Sequence, residues 1–141
     1  MAYCTVGDII NDITEPTLAQ LTDEDGMVVD EGVVNALIED ADALIDGYCG
    51  TRCKVPFTPV PPFIAALSRK ITIYNLFARR KEDMPPLREA QYKDAVERLK
   101  DVSSGKLRLD TVYDIPRVTD GFTVSVAVQG RIFNRDTLQG F

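Results

Sequence analysis

From Val6 to Val102 the apolar positions recur every three or four residues, and near Phe122 the period drops to two. The chain therefore reads as a helical body followed by a β segment. Thr5 stands where an N-cap belongs, and Val6, Ile9, Ile10 and Ile13 share one face of a first short helix. A second begins near Glu15, with Pro16 suited to its first turn and Leu18 and Leu21 as its apolar positions. It runs into the turn-rich stretch Thr22-Asp-Glu-Asp-Gly-Met. The third is the strongest pattern in the chain. From Asp30 as cap, Val33, Val34, Leu37, Ile38, Ala41, Leu44, Ile45 and Tyr48 form a stripe that Gly47 or Gly50 ends. Its opposite face, with Glu39, Asp40, Asp42 and Asp46, is expected to meet water or a basic partner.

The proline-rich run Lys54-Val-Pro-Phe-Thr-Pro-Val-Pro-Pro stops any helix and predicts a stiff, extended connection. Such runs also serve as ligands for aromatic grooves, but here Pro61 and Pro62 sit where a fourth helix must start. Phe63, Ile64, Leu67, Ile71, Tyr74 and Phe77 continue that helix on more than one side, as a central element requires. The cluster Arg79-Arg80-Lys81 closes it with charge suited to a helix C-terminus. Pro85 and Pro86 open a fifth helix, with Tyr92, Ala95, Val96, Leu99 and Val102 as its stripe and Gly105 as its stop. In Phe122-Thr-Val-Ser-Val-Ala-Val-Gln, alternation predicts a strand. A lone strand needs a partner: residues 131–134 across a turn at Gly130 would make a hairpin, to which residues 107–113 could add a third strand, and the same segment of another subunit would serve equally. The expected fold is mainly α: a bundle of about five helices over residues 1–105, then a strand or hairpin and an extended arm over 106–141.

Composition changes this picture little. At 141 residues, with 45% apolar and 27% charged residues, the chain is long enough for one self-sufficient core. No apolar run is long enough to span a bilayer and no signal-peptide pattern opens the chain, so no membrane association and cytoplasmic production are expected. Charge is more informative. Residues 1–60 carry twelve acids and two bases, whereas residues 61–141 carry ten acids and fourteen bases, so the two parts differ in sign within a net charge of −6. That balance argues against a sequence-reading DNA binder, for which Arg79, Arg80 and Lys81 are thin support. It does not exclude a surface that DNA passes without adhering, and the plainer reading of most of these charges is a solvated face.

The chain has no histidine, so catalytic triads built on one are excluded, and its glycines form no phosphate-cradling loop. Glu39 and Asp42 are the nearest approach to a carboxylate pair, but their place opposite the apolar stripe indicates solvation, so no enzymatic activity and no cofactor are expected. Cys4, Cys49 and Cys53 are odd in number and read as small buried or half-buried, reduced thiols, with no complete zinc set. The acidic run from Asp23 to Glu31 fails as a calcium loop: with Asp23 at position 1, Met27 falls at 5, Val28 at 6 and Val34 at 12. No metal site is expected.

The opening Met1-Ala-Tyr-Cys-Thr, the turn Leu21-Thr-Asp-Glu-Asp-Gly, Ala43-Leu-Ile-Asp-Gly-Tyr48 and Val60-Pro-Pro62, in this order and spacing, resemble the Mu-like prophage family of small head-tail connector proteins. The likeness covers residues 1 to about 105. It implies a structural virion protein of a tailed bacteriophage, an adaptor at the head-tail interface that forms a twelvefold ring of identical subunits between portal and tail. DNA would pass through the central channel without sequence-specific binding. On this reading Glu39, Asp42 and Asp46 of one subunit meet Arg79, Arg80 and Lys81 of the next. The arm docks on the portal or a tail-side protein, through the apolar Ile132, Phe133, Leu138 and Phe141 and through Arg131 and Arg135 paired with carboxylates. The alternative is a DNA-binding regulatory protein of a phage or prophage.

Overall fold

A computed structural model describes residues 2–80 and 84–115, and over these the chain is mainly α with five helices. α1 spans Val6–Ile13, α2 Glu15–Thr22, α3 Glu31–Cys49, α4 Pro62–Arg80 and α5 Pro86–Ser104. The expected strand from Phe122, its hairpin, and the arm with Arg131, Ile132, Phe133, Arg135, Leu138 and Phe141 lie outside the described residues, as does Lys81.

Several helix ends have a local cause. Thr5 and Asp8 form a reciprocal capping box at α1, the Thr5 hydroxyl accepting from Asp8 N–H and the Asp8 carboxylate from Thr5 N–H. Asp30 caps α3 by accepting from Val33 N–H. Gly47 stays inside α3, and Gly50 follows its last turn. Proline opens α4 and α5, and Gly105, at φ +90°, ends α5 in the left-handed region that its missing side chain permits.

Two contiguous cores result, and α3 and α4 run through both. The first half of α3 (Val34, Ile38) packs with the second half of α4 (Ile73, Leu76) under α1 and α2, which contribute Ile9, Ile13, Leu18 and Leu21. The second half of α3 (Ala41, Ile45, Cys49) packs with the first half of α4 (Ile64, Leu67, Ile71) and with Ala95, Leu99 and Val102 of α5. α3 and α4 are thus an antiparallel pair, and α4 is the central element its many-sided apolar pattern predicts. Tyr74 and Tyr92 stack at 3.9 Å between ring centroids where α4 meets α5.

Three expectations change. The proline-rich run is not simply extended: it enters Pro56 and Pro59 through cis peptide bonds and folds around Phe57, which is fully buried between the rings of Tyr3 and Tyr113. Residues 107–113 form no strand. They lead into a 3-10 turn at Thr111–Tyr113 that Asp110 caps, because Asp110 Oδ1 captures Val112 N–H and bends the backbone. Beyond that turn a single antiparallel bridge pairs Cys53 with Asp114, with Lys54 N–H donating to Tyr113 O and Ile115 N–H to Arg52 O. The third change concerns the acidic face of α3.

Candidate interaction surfaces

That face is not uniformly solvated. Glu39 and Asp40 are exposed, but Asp42 is buried, correcting its expected place in water. Asp42 lies on the turn of α3 that meets α4 and the N-terminal segment, where Oδ2 accepts from Tyr3 N–H at 2.9 Å and Oδ1 accepts from Ser68 Oγ at 2.8 Å. Burial raises its pKa above the usual carboxylate range, and the bonds from Ser68 and Tyr3 pull the other way. One turn later Asp46 accepts from the Tyr3 hydroxyl, which itself accepts from Phe57 N–H. Burial and then the bond to Asp46 raise the Tyr3 phenol well above its ordinary value. Asp42 and Asp46 therefore fasten residues 3–4 and the proline loop to the bundle. Cys4 Sγ lies 3.3 Å from Ser68 Oγ in the same network.

The basic residues are partly committed in the same way. Arg79 donates to Leu21 O at 3.2 Å, in the last turn of α2, so it satisfies a helix end inside the fold. Arg80 is half-buried. Arg69 pairs with Asp12 at 3.1 Å and joins α4 to α1, with both side chains about one-third exposed. Arg52, unmarked in the sequence reading, donates through Nε to Ser103 O at 3.1 Å and through Nη2 to Ser104 O at 3.3 Å, closing the end of α5. Of the six charged positions expected at a subunit contact, the structure commits Asp42, Asp46 and Arg79 to internal bonds, and leaves Glu39 exposed and Arg80 half-exposed.

Charge is nonetheless segregated by element. No lysine or arginine precedes Arg52, so the surface of α1, α2, the 23–30 turn and α3 carries side-chain charge of one sign, while α4 has four bases and no acid. The 23–30 turn is closed by its own bonds. Asp23 Oδ2 accepts from Met27 and Val28 N–H, which holds its carboxyl below the ordinary range, and Thr22 Oγ1 accepts from Asp30 N–H. It presents Met27 and Val28 at 79% and 69% exposure. Their position in an acidic turn, away from any helical stripe, was the available sign of exposure.

At the other end of α3 lies a groove of about 670 Å³ between Arg52–Cys53, the end of α5 and residues 107–115. Val112 and Ile115 beside it are 67% and 41% exposed. No group of three or more residues able to hold a metal ion occurs among the described residues, and no described helix is long and apolar enough to cross a membrane.

The family described as Bacteriophage Mu, Gp36 has a model that matches residues 3–127 of this chain, a span that takes in all five helices and both ends of α3. The chain belongs to that family. Gene product J of Escherichia phage Mu is 33% identical to it over 109 residues, which cover 75% of this chain and 74% of that protein. This is thus a Mu-like phage protein, in agreement with the resemblance carried by its turn and proline motifs.

Proposed function

We propose that this chain is a structural virion protein, a head-to-tail adaptor that assembles as a ring of identical subunits between portal and tail around the DNA channel. Charge segregation is the observation that carries the reading. A helical body whose first 51 residues carry only acids and whose fourth helix carries only bases, two of which, Arg69 and Arg79, are already bonded to α1 and α2, separates charge along the chain, and unlike surfaces are the requirement of a head-to-tail contact that closes into a ring. Membership of a Mu phage family supports it. The acidic share of the surface suits a wall past which DNA slides, because like charge repels the duplex. The role is architectural, without a catalytic step or cofactor.

In this proposal the ring is twelvefold and sits in the neck of the particle. The arm over residues 131–141 docks on the portal or the tail-side protein, with Phe133, Leu138 and Phe141 as apolar anchors and Arg131 and Arg135 as charged ones. Electron microscopy of lysates tests both parts. Without the gene, filled heads and free tails should accumulate unjoined, and normal joined particles would refute the adaptor role. A chain lacking residues 131–141 should also fail to join them, and normal joining by that truncation would refute docking through the arm while sparing the adaptor role.

A further inference from the structure

Three segments far apart in the chain meet at Phe57. On one side is Tyr3, whose N–H donates to Asp42 Oδ2 at 2.9 Å, whose hydroxyl donates to Asp46, and whose hydroxyl oxygen accepts from Phe57 N–H at 3.2 Å. Its ring centroid lies 5.8 Å from that of Phe57. On the other side is Tyr113, with its ring edge-on to Phe57 at 5.3 Å and its hydroxyl donating to Pro59 O at 2.9 Å. The backbone closes the same junction: Lys54 N–H donates to Tyr113 O at 2.7 Å and Ile115 N–H to Arg52 O at 3.1 Å. Phe57 is fully buried and Tyr3 is 4% exposed, so the row belongs to the core, although none of its three rings stands on one of the five helices.

We propose that Tyr3, Phe57 and Tyr113 form one clasp that opens and closes as a unit, so that the N-terminal segment and the chain's exit at Ile115 are coupled. Shared packing is the reason. A close-packed interior leaves no slack, so taking away either tyrosine ring bares a face of Phe57. The loop that carries Phe57 also holds both tyrosines by its own backbone, Tyr3 through Phe57 N–H and Tyr113 through Pro59 O. Neither tyrosine leaves without loosening the loop that holds the other. Arg52 bonded to the end of α5, Asp114 paired with Arg108, and Cys4 beside Ser68 brace one end or the other, but none of these contacts includes Phe57 and none joins the two ends. By linkage, a partner that draws Tyr3 off α3 weakens the hold on Ile115, and one that steadies the chain at Ile115 seats Tyr3 more firmly by the same factor. On the adaptor reading, on which this one step rests, the second partner is whatever residues 131–141 dock on, so docking is felt at Asp42 and Asp46 of α3.

Native-state hydrogen exchange of the full chain, read by nuclear magnetic resonance in rising urea, tests the clasp. In wild type the amides of Tyr3, Lys54, Phe57 and Ile115 should share one opening, with protection factors within about fivefold of one another, one urea dependence, and less protection than Leu76 in the core under α1 and α2. A wider spread or unlike urea slopes would mean separate openings and overturn the proposal. Protection equal to that of Leu76 would mean that the clasp opens only when the whole body unfolds, which also overturns it. Tyr113 takes no part in the bond from Tyr3 N–H to Asp42, yet Tyr113→Ala should lower protection at Tyr3 at least about fivefold, still below Leu76. Tyr3→Ala should do the same at Ile115, whose N–H is bonded to Arg52 O. A smaller loss at either distant amide refutes the coupling. Phe57→Leu keeps an apolar side chain at the junction and replaces any alanine variant that fails to fold by circular dichroism; it should loosen both ends together, and loosening of one end alone refutes the clasp. Tyr113→Ala should also join heads to tails poorly. Normal joining by that variant overturns the step to docking and leaves the exchange results standing, whereas a gene dispensable for joining refutes the adaptor reading instead.

Discussion

Removing the Asp42 side chain should release the N-terminal segment from the bundle, and the size of the effect follows from its two bonds. Asp42→Ala leaves the buried Tyr3 N–H without an acceptor, a loss of about 1–3 kcal/mol. Ser68 loses less, because its hydroxyl still has Cys4 Sγ at 3.3 Å. Relief from holding a buried carboxylate offsets part of the total, so a net destabilisation of about 2 kcal/mol is expected. With a urea slope of about 1–3 kcal/mol per molar, the unfolding midpoint should fall by about 1 M. Asp42→Asn should behave differently. Its amide oxygen can take Tyr3 N–H and its amide nitrogen can donate to Ser68 Oγ, whose own hydrogen then turns to the Cys4 sulfur, so every group keeps a partner. Its stability at neutral pH should lie within about 1 kcal/mol of wild type.

The pH dependence has a definite sign. Burial raises the Asp42 pKa in the folded state, so the folded chain binds this proton more tightly than the unfolded chain does. The stability contributed by that proton is fully present below the unfolded pKa, about 3.9, and is lost as pH rises through the folded value. Asparagine has no such loss, so Asp42→Asn should gain on wild type as pH rises through that window. Urea unfolding followed by circular dichroism measures the stabilities, and hydrogen exchange at Tyr3 reports the anchor directly. Equal losses in the alanine and asparagine variants would refute the reasoning, because the charge rather than the acceptor would then hold the segment. No loss in either would mean that Tyr3 is not anchored there.

Two further outcomes follow from the fold. Gly105→Ala should cost about 2 kcal/mol, since its φ of +90° disfavours a side chain and the new Cβ would lie 2.9 Å from Arg52 Cζ. In an Arg52→Ala background the steric part should vanish in a double-mutant cycle of chemical denaturation, and an unchanged cost would assign the whole effect to the backbone. The three thiols are buried and unpaired, and burial raises all of them, Cys49 to about 12 with neighbouring Cys53 and Asp46 adding to the rise. A chromogenic disulfide reagent at mildly alkaline pH should therefore modify the folded chain at least about a hundredfold more slowly than the urea-unfolded chain, and a single fast thiol in the folded chain would contradict the burial.

Local chemistry made much of the body legible without coordinates. Thr5, Asp30, Gly105 and the prolines before α4 and α5 act on their own or adjacent turns, so the helix bounds they imply appear in the structure within a residue or so. The many-sided apolar pattern of α4 likewise announces a helix with several neighbours, and the cysteines are buried and free, as their odd number suggests. Residues 107–113 offer themselves in sequence as a further strand for the segment from Phe122, yet a capping aspartate at 110 suffices to bend them.

Tertiary structure decided the fate of the charges. Helical spacing places Asp42 four residues after Ile38 and three before Ile45, at the edge of the buried face that Glu39 does not share, and the arrival of Tyr3 from the N-terminal segment and of Ser68 from α4 gives Asp42 the donors that permit burial. Arg79 and Arg52 look like solvated bases in sequence, and become caps because the ends of α2 and α5 happen to lie within reach. The sequence by itself determined where helices start and stop and that acids and bases are separated along the chain. Which of those charges remain for a partner was settled only by packing, because a hydrogen bond between residues 26 or 58 positions apart has no periodic signature in the chain.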